Sequence, residues 1–256
     1  MTEIVTQTQD FNKLKTAYFS DFAKSHLSAF RPHYRQGETL GKRPEVWRTV
    51  SEHCLVAGVL ADILADELHL PEDQKSVVVK AAIMHDWFKK HELTTQQAAS
   101  KEGTLSLQTI AEIKEKNDQA LQAMGVPPDI IALTGVNTPE TPAGPQRLSE
   151  KIIWYVDAIL LNTELMPIEQ RFDDSERGWD GTKEDPVRAV RNNAFSNLYR
   201  AQYGGKSLYE VQRALGGKIG AEFAQRMGYQ GDISQLPLFL REKLVERIKS
   251  KAPVSS

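Results

Sequence analysis

An all-α fold is predicted by three features of this 256-residue sequence. Apolar residues recur at three- and four-residue spacing through long stretches of the chain, as they do on one face of a helix. No stretch alternates apolar and polar residues in the way that a half-buried strand would, and we find no internal repeat. Clusters of Pro and Gly separate the helical stretches, and these residues end helices and form connections.

The predicted helices follow one another along the whole chain. The first covers residues 9–30, and a connection rich in Pro and Gly follows at 31–46. An apolar helix is predicted over 46–68. The next is predicted over 71–90, because Pro followed by two acids is typical of a helix start. Further helices are predicted at 106–124, 147–165, 186–202, 206–228 and 232–250, with loops at 135–146 and 172–185 and a frayed C-terminal tail.

We expect three segments, because the most apolar helices fall in the middle of the chain. They are an N-terminal helical arm (1–45), a core (46–165) and a C-terminal helical extension (166–256). The extension has an apolar stripe that could pack on the core or form the face of a homodimer. The stripe consists of Leu208, Val211, Leu215, Ile219, Phe223 and Met227.

Composition argues against several classes of partner. The formal net charge is −2 and the chain is 40% apolar, which gives no sign of bulk nucleic-acid binding or of an anionic membrane surface. Cys54 is the only cysteine, so no intrachain disulfide can form. The N-terminus is polar and no apolar run approaches about 18 residues. We therefore expect a cytoplasmic protein that does not enter a membrane.

Ligand-type side chains occur in three of the most apolar predicted helices. His53 lies in one, the doublet His85-Asp86 in the second and Asp157 in the third. An acid in such a run is costly to bury unless it is paired or bound to a cation. A buried His or Asp taken alone is often a hydrogen-bonded core residue, but the four together favour one divalent metal. Mixed nitrogen and oxygen donors suit Mn, Fe, Co, Ni or Zn, whereas Mg and Ca prefer an all-oxygen site.

The pattern His53, His85-Asp86, Asp157 resembles the HD superfamily of metal-dependent phosphohydrolases. The separations, from 53 to 85 and from 86 to 157, look typical of that family. The segments Val50-Ser51-Glu52-His53 and Ala81-Ala82-Ile83-Met84-His85-Asp86 are also similar to the family's surroundings of these residues. The resemblance covers about 46–165. It implies an HD-type helical bundle that hydrolyses a phosphate ester or anhydride of a nucleotide or similar small molecule.

Residue by residue, the resemblance implies that His53, His85, Asp86 and Asp157 bind the metal, and that Asp86 also positions the attacking water. Lys89 matches the H-D-x-x-K form of the doublet, in which the lysine contacts substrate phosphate. Nucleotidase and guanosine-tetraphosphate hydrolase branches usually carry Glu there, so the chain departs from both.

Binuclear members, including di-iron oxygenases, add histidines between the doublet and the last Asp. This chain has only His91 in that interval, which argues against a second metal and against an oxygenase, although Glu140 could contribute a ligand.

Further residues could contact the substrate or support the metal ligands. Arg48, Lys89, Lys90 and Arg147 are candidate anion contacts, because guanidinium binds phosphate in a bidentate manner and lysine supplies a point charge. Glu52 could orient His53 or a water. Each has a plainer explanation, such as a surface ion pair for Arg48 or an interaction with a helix end for the lysines. We expect structural or exposed positions for His26, His33, His69 and His91, and a core position for Cys54.

A different functional class stays open. The core does not require the C-terminal extension, so the chain could instead be a regulatory module that holds a nucleotide or metal without turnover and acts through its last helices.

Overall fold

The computed structural model describes residues 2–35, 50–136, 144–179 and 183–250. Within these ranges it contains twelve α-helices and one two-stranded hairpin, so the predicted all-α fold is confirmed. The helices are α1 (Thr2–Ser25), α2 (Leu27–Arg35), α3 (Val50–Glu67), α4 (Glu72–Met84), α5 (Lys89–Lys101), α6 (Leu107–Ala123), α7 (Pro128–Thr134), α8 (Leu148–Ala158), α9 (Ile168–Arg177), α10 (Pro186–Arg200), α11 (Leu208–Met227) and α12 (Leu236–Ser250). The strands are β1 (Leu160–Leu161) and β2 (Glu164–Leu165), and a 3-10 helix covers Ile233–Gln235.

Helix α3 is the central element, and nearly all of its side chains are buried. It packs closely on α4 at Gly58, where an added Cβ would lie 2.6 Å from Cγ1 of Ile83 and 3.3 Å from Cε1 of Phe22. Helix α8 packs on both α3 and α4, so the three apolar helices that carry the predicted ligands are direct neighbours.

One hydrophobic cluster joins the three predicted segments. Phe19 and Phe30 of the first segment and Phe172 and Phe223 of the last belong to the same buried cluster as the residues of α3. The boundaries 45/46 and 165/166 stay predictions, because the packing is continuous across both.

The prediction of one helix from 71 to 90 was wrong at its end. Helix α4 stops at Met84 and the chain turns over 85–88 before α5 begins. In this turn the backbone N–H of Trp87 donates to Met84 and that of Lys89 donates to Asp86, a tighter three-residue pattern than the α-helical one. The turn redirects His85 and Asp86 away from the α4 helical register.

The helix predicted over 147–165 also ends early, at Ala158. The antiparallel hairpin of β1 and β2 follows, with Leu160 opposite Leu165. Asn162 lies in the hairpin turn with a φ of 57°, a left-handed conformation that Asn tolerates better than most residues.

The acidic loop predicted over 172–185 was wrong for its first part, which belongs to α9. Pro167 precedes the first turn of α9, and Gly178, with a φ of 79°, ends it. The helix is amphipathic, with Phe172 buried in the main cluster and exposed acids on its outer face. Helices α5 and α7 are two further elements that the sequence analysis did not predict.

The apolar stripe of the C-terminal extension packs within the chain. Leu208, Ile219 and Phe223 are buried, and α11 contacts α8, α9 and α10. Among the described residues, no helix combines the length and apolar character needed to cross a membrane. The predicted tail and most of the predicted 31–46 connection lie outside the described residues.

Candidate metal centre

The four predicted ligands lie together. His53 is on α3, His85 and Asp86 are in the turn after α4, and Asp157 is near the end of α8. One donor atom from each of the four lies within 4.8 Å of all the others. Residues that are 104 positions apart in the sequence thus form one compact cluster, as the sequence analysis predicted.

Two backbone carbonyls fix the orientation of the imidazole rings. Nδ1 of His53 lies 2.6 Å from the carbonyl oxygen of Asn162, and Nδ1 of His85 lies 2.7 Å from that of Ala82. A carbonyl oxygen can only accept, so each Nδ1 must carry a proton and donate it. In the neutral ring, the free lone pair is therefore on Nε2 in both residues.

Both Nε2 atoms point into the cluster. They are 3.2 Å apart, and they lie 3.1 Å (His53) and 3.4 Å (His85) from Oδ1 of Asp157. Oδ2 of Asp86 lies 3.8 Å from Nε2 of His85. Two lone pairs and a carboxylate oxygen at these distances need a positive charge between them, which a proton or a metal ion supplies.

The spacing suits a metal. Two donors that are each about 2.1 Å from one ion lie about 3.0 Å apart at an octahedral right angle and about 3.4 Å apart at a tetrahedral angle. The three shortest separations in the cluster, 3.1, 3.2 and 3.4 Å, fall in this range. The group of His53, His85, Asp86 and Asp157, in which both acids are half-buried, could therefore hold a metal ion.

Without a metal, we expect protons on the histidines to supply the positive charge, and the directions of the pKa shifts agree with this. Burial lowers the pKa of His53, but the hydrogen bond with Asp157 and its charge outweigh burial, so the pKa is raised. Burial also lowers the pKa of His85, but the charges of Cys54 and Asp86 raise it well above its usual value. Burial raises the pKa of Asp157, yet the hydrogen bonds of both histidines hold it well below the usual carboxyl range. The carboxylate of Asp157 is therefore ionised at neutral pH.

The cluster opens into a cavity of about 300 Å³, which His53, Asp86, Asp157 and Lys89 help to line. Nζ of Lys89 lies 3.2 Å from Oδ1 of Asp86 and 3.7 Å from Oε2 of Glu92. Burial lowers the pKa of this ammonium group, but the charges of Asp86 and Glu92 raise it above its usual value. Lys89 thus places a permanent positive charge beside the ligand cluster.

Three arginines of the cavity lining were not among the predicted site residues. Arg171 comes from α9, and Arg188 and Arg191 come from α10. The i,i+3 spacing of Arg188 and Arg191 places both on one helix face, which was a usable signal. Arg171 gave none, because it stands just before a run of acids that was interpreted as loop.

The other candidate residues are placed as follows. Glu52 is buried on α3, but it is absent from the described cavity lining, and the group that orients His53 is the carbonyl of Asn162. Arg147 lies at the start of α8 with an exposed side chain and pairs with Glu150 at 2.7 Å. Arg48 and Glu140 lie outside the described residues, as does the side chain of Lys90.

The remaining histidines and Cys54 support the packing. His33 is buried, and its Nε2 donates to the carbonyl of Ile83 at 2.7 Å. Cys54 is fully buried, with its Sγ 3.9 Å from Nδ1 of His85. His26 is half-buried, while His69 and His91 are exposed.

Comparisons of the chain with protein-family models, with curated proteins and with solved structures found no match.

Proposed function

We propose that this chain is a mononuclear, metal-dependent phosphohydrolase that acts on a nucleotide or a similar small phosphorylated molecule. One observation carries the proposal. The free lone pairs of His53 and His85 converge with the carboxylates of Asp86 and Asp157 at one side of a cavity, next to the ammonium group of Lys89. A cation site beside a fixed positive charge is suited to bind a phosphoryl group and to activate water next to it.

The chain's own residues have separate tasks in this proposal. His53, His85, Asp86 and Asp157 hold one divalent ion, with Mn, Fe, Co, Ni or Zn favoured by the mixed donor set. When bound, such an ion lowers the pKa of a water and polarises a phosphoryl oxygen. Lys89 donates hydrogen bonds to the phosphoryl oxygens, and Asp86 positions the attacking water and accepts its proton.

The reaction is a simple displacement at phosphorus. The water oxygen forms a bond to phosphorus while the bond from phosphorus to the leaving oxygen breaks. The leaving oxygen keeps the electron pair and takes up the proton that Asp86 accepted from the water, so that one water is consumed for each bond cleaved and Asp86 is ionised again. The backbone carbonyls of Asn162 and Ala82 keep both imidazoles in the required tautomer.

The test is an activity screen of the metal-stripped protein. Nucleotides and dinucleotides are offered with Mn, Fe, Co, Ni, Zn or Mg added in turn, and released phosphate or nucleotide is measured. We expect metal-dependent release that falls by more than about 100-fold in Asp86→Asn, because a ligand and the water contact are both lost. Asp173→Asn changes an exposed acid of α9 and serves as the matched control. Equal activity in the wild type and in Asp86→Asn would refute the proposal.

A regulatory module that binds metal and nucleotide without turnover is the alternative. The acidic residues of the cavity favour this alternative. Among the described lining residues the acids are Asp86 and Asp157, and both are candidate metal ligands. No separate general base is therefore present in that described lining. Metal and nucleotide binding without product release under every condition of the screen would support this alternative.

A further inference from the structure

Three arginine side chains of the C-terminal segment lie at the cavity that holds the candidate metal centre. Arg171 of α9 and Arg188 and Arg191 of α10, called here the arginine triplet, line the same cavity of about 300 Å³ as His53, Asp86 and Asp157. Helix α10 packs on both α9 and α5, and α5 begins at Lys89. The packing of these helices thus brings four cationic side chains to one cavity.

The hydrogen-bond partners of the triplet are neutral groups. Within the described ranges, none of the three guanidinium groups has a carboxylate oxygen within 4.0 Å, whereas other arginines such as Arg213 and Arg247 do. The partners are the carbonyl of Leu160 and the hydroxyl of Ser175 for Arg171, the carbonyl of Trp179 for Arg188 and the side-chain oxygen of Asn192 for Arg191. These contacts hold the guanidinium groups in place without a negative charge, and the acids that act on Arg171 and Arg191 do so from a distance.

The charge of the cavity lining exceeds what one phosphoryl group balances. Lys89 and the triplet supply four positive charges, and Asp86 and Asp157 supply two negative charges. A divalent ion at the cluster neutralises the two acids, and Glu92, 3.7 Å from Nζ of Lys89, offsets the charge of that ammonium group. The three guanidinium charges remain, and a phosphate monoester, with a charge of about −2 at neutral pH, would not neutralise all of them.

The guanidinium groups of the triplet repel one another, and the directions of two pKa shifts reflect this repulsion. Burial and the charge of Arg188 both lower the pKa of Arg191. Burial and the charge of Arg188 also lower the pKa of Arg171, whereas the charge of Asp157 raises it. An anion bound among the three would relieve this repulsion, and arginine is suited to bidentate contacts with phosphate.

We propose that the arginine triplet is a subsite for a second and further phosphoryl groups, so that the substrate carries a phosphoanhydride chain, as a nucleoside di- or triphosphate does. This rests on the proposed function, since the first phosphoryl group is the one at the metal cluster and Lys89. The bond hydrolysed is then an anhydride bond. Water oxygen joins one phosphorus, the bridging oxygen leaves with the electron pair on the other phosphate, and the two products share the protons of the water.

The test separates binding from hydrolysis. Tripolyphosphate and orthophosphate are titrated calorimetrically into the EDTA-treated full chain, where no metal-dependent turnover can occur. We expect tripolyphosphate to bind at least about ten-fold more tightly than orthophosphate, because it can reach the triplet and Lys89 together. Equal affinities for the two anions would overturn the proposal.

Variants then assign the preference to the triplet. Arg188→Gln with Arg191→Gln removes two of the charges and is expected to weaken tripolyphosphate binding by about ten- to a hundred-fold, with little change for orthophosphate. Arg200→Gln changes an exposed arginine of the same helix and should leave both affinities unchanged. Unchanged tripolyphosphate affinity in the double variant would contradict the assignment.

Folding of the double variant is checked by circular dichroism. If the double variant fails to fold, Arg191→Lys replaces it, because lysine keeps the charge but cannot make the bidentate contact. We expect an intermediate loss of tripolyphosphate affinity in Arg191→Lys. An unchanged affinity would contradict the subsite.

The two proposals can fail separately. A triplet-dependent preference for tripolyphosphate without hydrolysis of any nucleotide supports the subsite and refutes the hydrolase. Metal-dependent hydrolysis of a nucleoside triphosphate that is unaffected by the double variant supports the hydrolase and refutes the subsite.

Discussion

Nε2 of His53 lies 3.2 Å from Nε2 of His85, although both rings donate their Nδ1 protons to backbone carbonyls. Two unprotonated ring nitrogens at this distance repel each other, and Oδ1 of Asp157 adds a negative charge 3.1 Å from the first and 3.4 Å from the second. The arrangement is stable only with a positive charge inside it. In the metal-free protein that charge is a proton, and in the proposed enzyme it is a divalent ion.

Metal binding is therefore expected to release protons at neutral pH. The pKa values of His53 and His85 are raised in the metal-free protein, and an imidazolium must lose its proton before it can bind a metal. Affinity should rise with pH until both raised pKa values are passed. Calorimetric titration with Mn²⁺ in buffers of different ionisation enthalpy measures the number of protons released, and a value of zero at pH 7 would contradict the expected shifts.

The same shifts give the metal-free protein a pH-dependent stability. A group whose pKa is raised on folding stabilises the fold fully below its unfolded pKa, about 6.5 for His, and loses this contribution as pH rises through the raised value. Between these limits the contribution of His53 and His85 to the free energy of unfolding should decrease with pH. Urea unfolding at several pH values tests this, and adding metal should abolish the decrease.

Lys89 is expected to matter for substrate binding and for the transition state. Its ammonium group stays protonated and lies at the cavity beside Asp86. Lys89→Gln removes a charge-assisted hydrogen bond to phosphate, which corresponds to a loss of about ten- to a hundred-fold in kcat/KM. Lys101→Gln, at the exposed end of the same helix, is the control. Steady-state kinetics on the substrate found by the screen measures both, and equal losses in the two variants would argue against a specific role.

Two helical glycines differ in the space around them, so their replacement by alanine should have opposite effects on stability. A Cβ at Gly58 would lie 2.6 Å from Cγ1 of Ile83, a stiff β-branched side chain, so Gly58→Ala should destabilise the fold by about 1–3 kcal/mol. Gly217 of α11 has open space around the same position, so Gly217→Ala should stabilise it by about 0.5–1 kcal/mol. Chemical unfolding measures both, and a stable Gly58→Ala variant would show that the two helices can separate at no cost.

Helix α12 is held to α3 by an ion-pair network. Arg247 contacts Asp62 and Asp66, and Lys75 lies 2.9 Å from Asp62. The side chains are partly exposed, so Arg247→Ala should lower the free energy of unfolding by only about 1 kcal/mol. This loss should shrink at high salt. Arg241→Ala, at an exposed position of the same helix, should have no measurable effect, and an equal loss there would contradict a specific network.

The ligand cluster could be predicted from the sequence because its members stand out chemically. An acid or imidazole inside an apolar helix needs a partner, and that requirement is local information. This requirement alone points to His53, His85, Asp86 and Asp157 in the sequence.

The arginine side of the cavity could not be predicted in the same way. The acidic residues that follow Arg171 make this segment resemble a loop in the sequence. The position of Arg171 at the cavity depends on how α9 packs against α10, and this long-range packing leaves no local signal. The turn at 85–88 contains no Pro or Gly, so its helix break also left no local signal.

The most direct test of the central claim is to measure metal content and hydrolysis together in the wild type and in Asp157→Asn. This substitution keeps the size of the side chain and removes its charge. The account predicts one divalent ion per wild-type chain with metal-dependent product release. It also predicts a loss of metal affinity of more than about 100-fold, together with the activity, in Asp157→Asn. One bound ion and full activity in the variant, or hydrolysis by a wild-type chain that binds no metal, would contradict it.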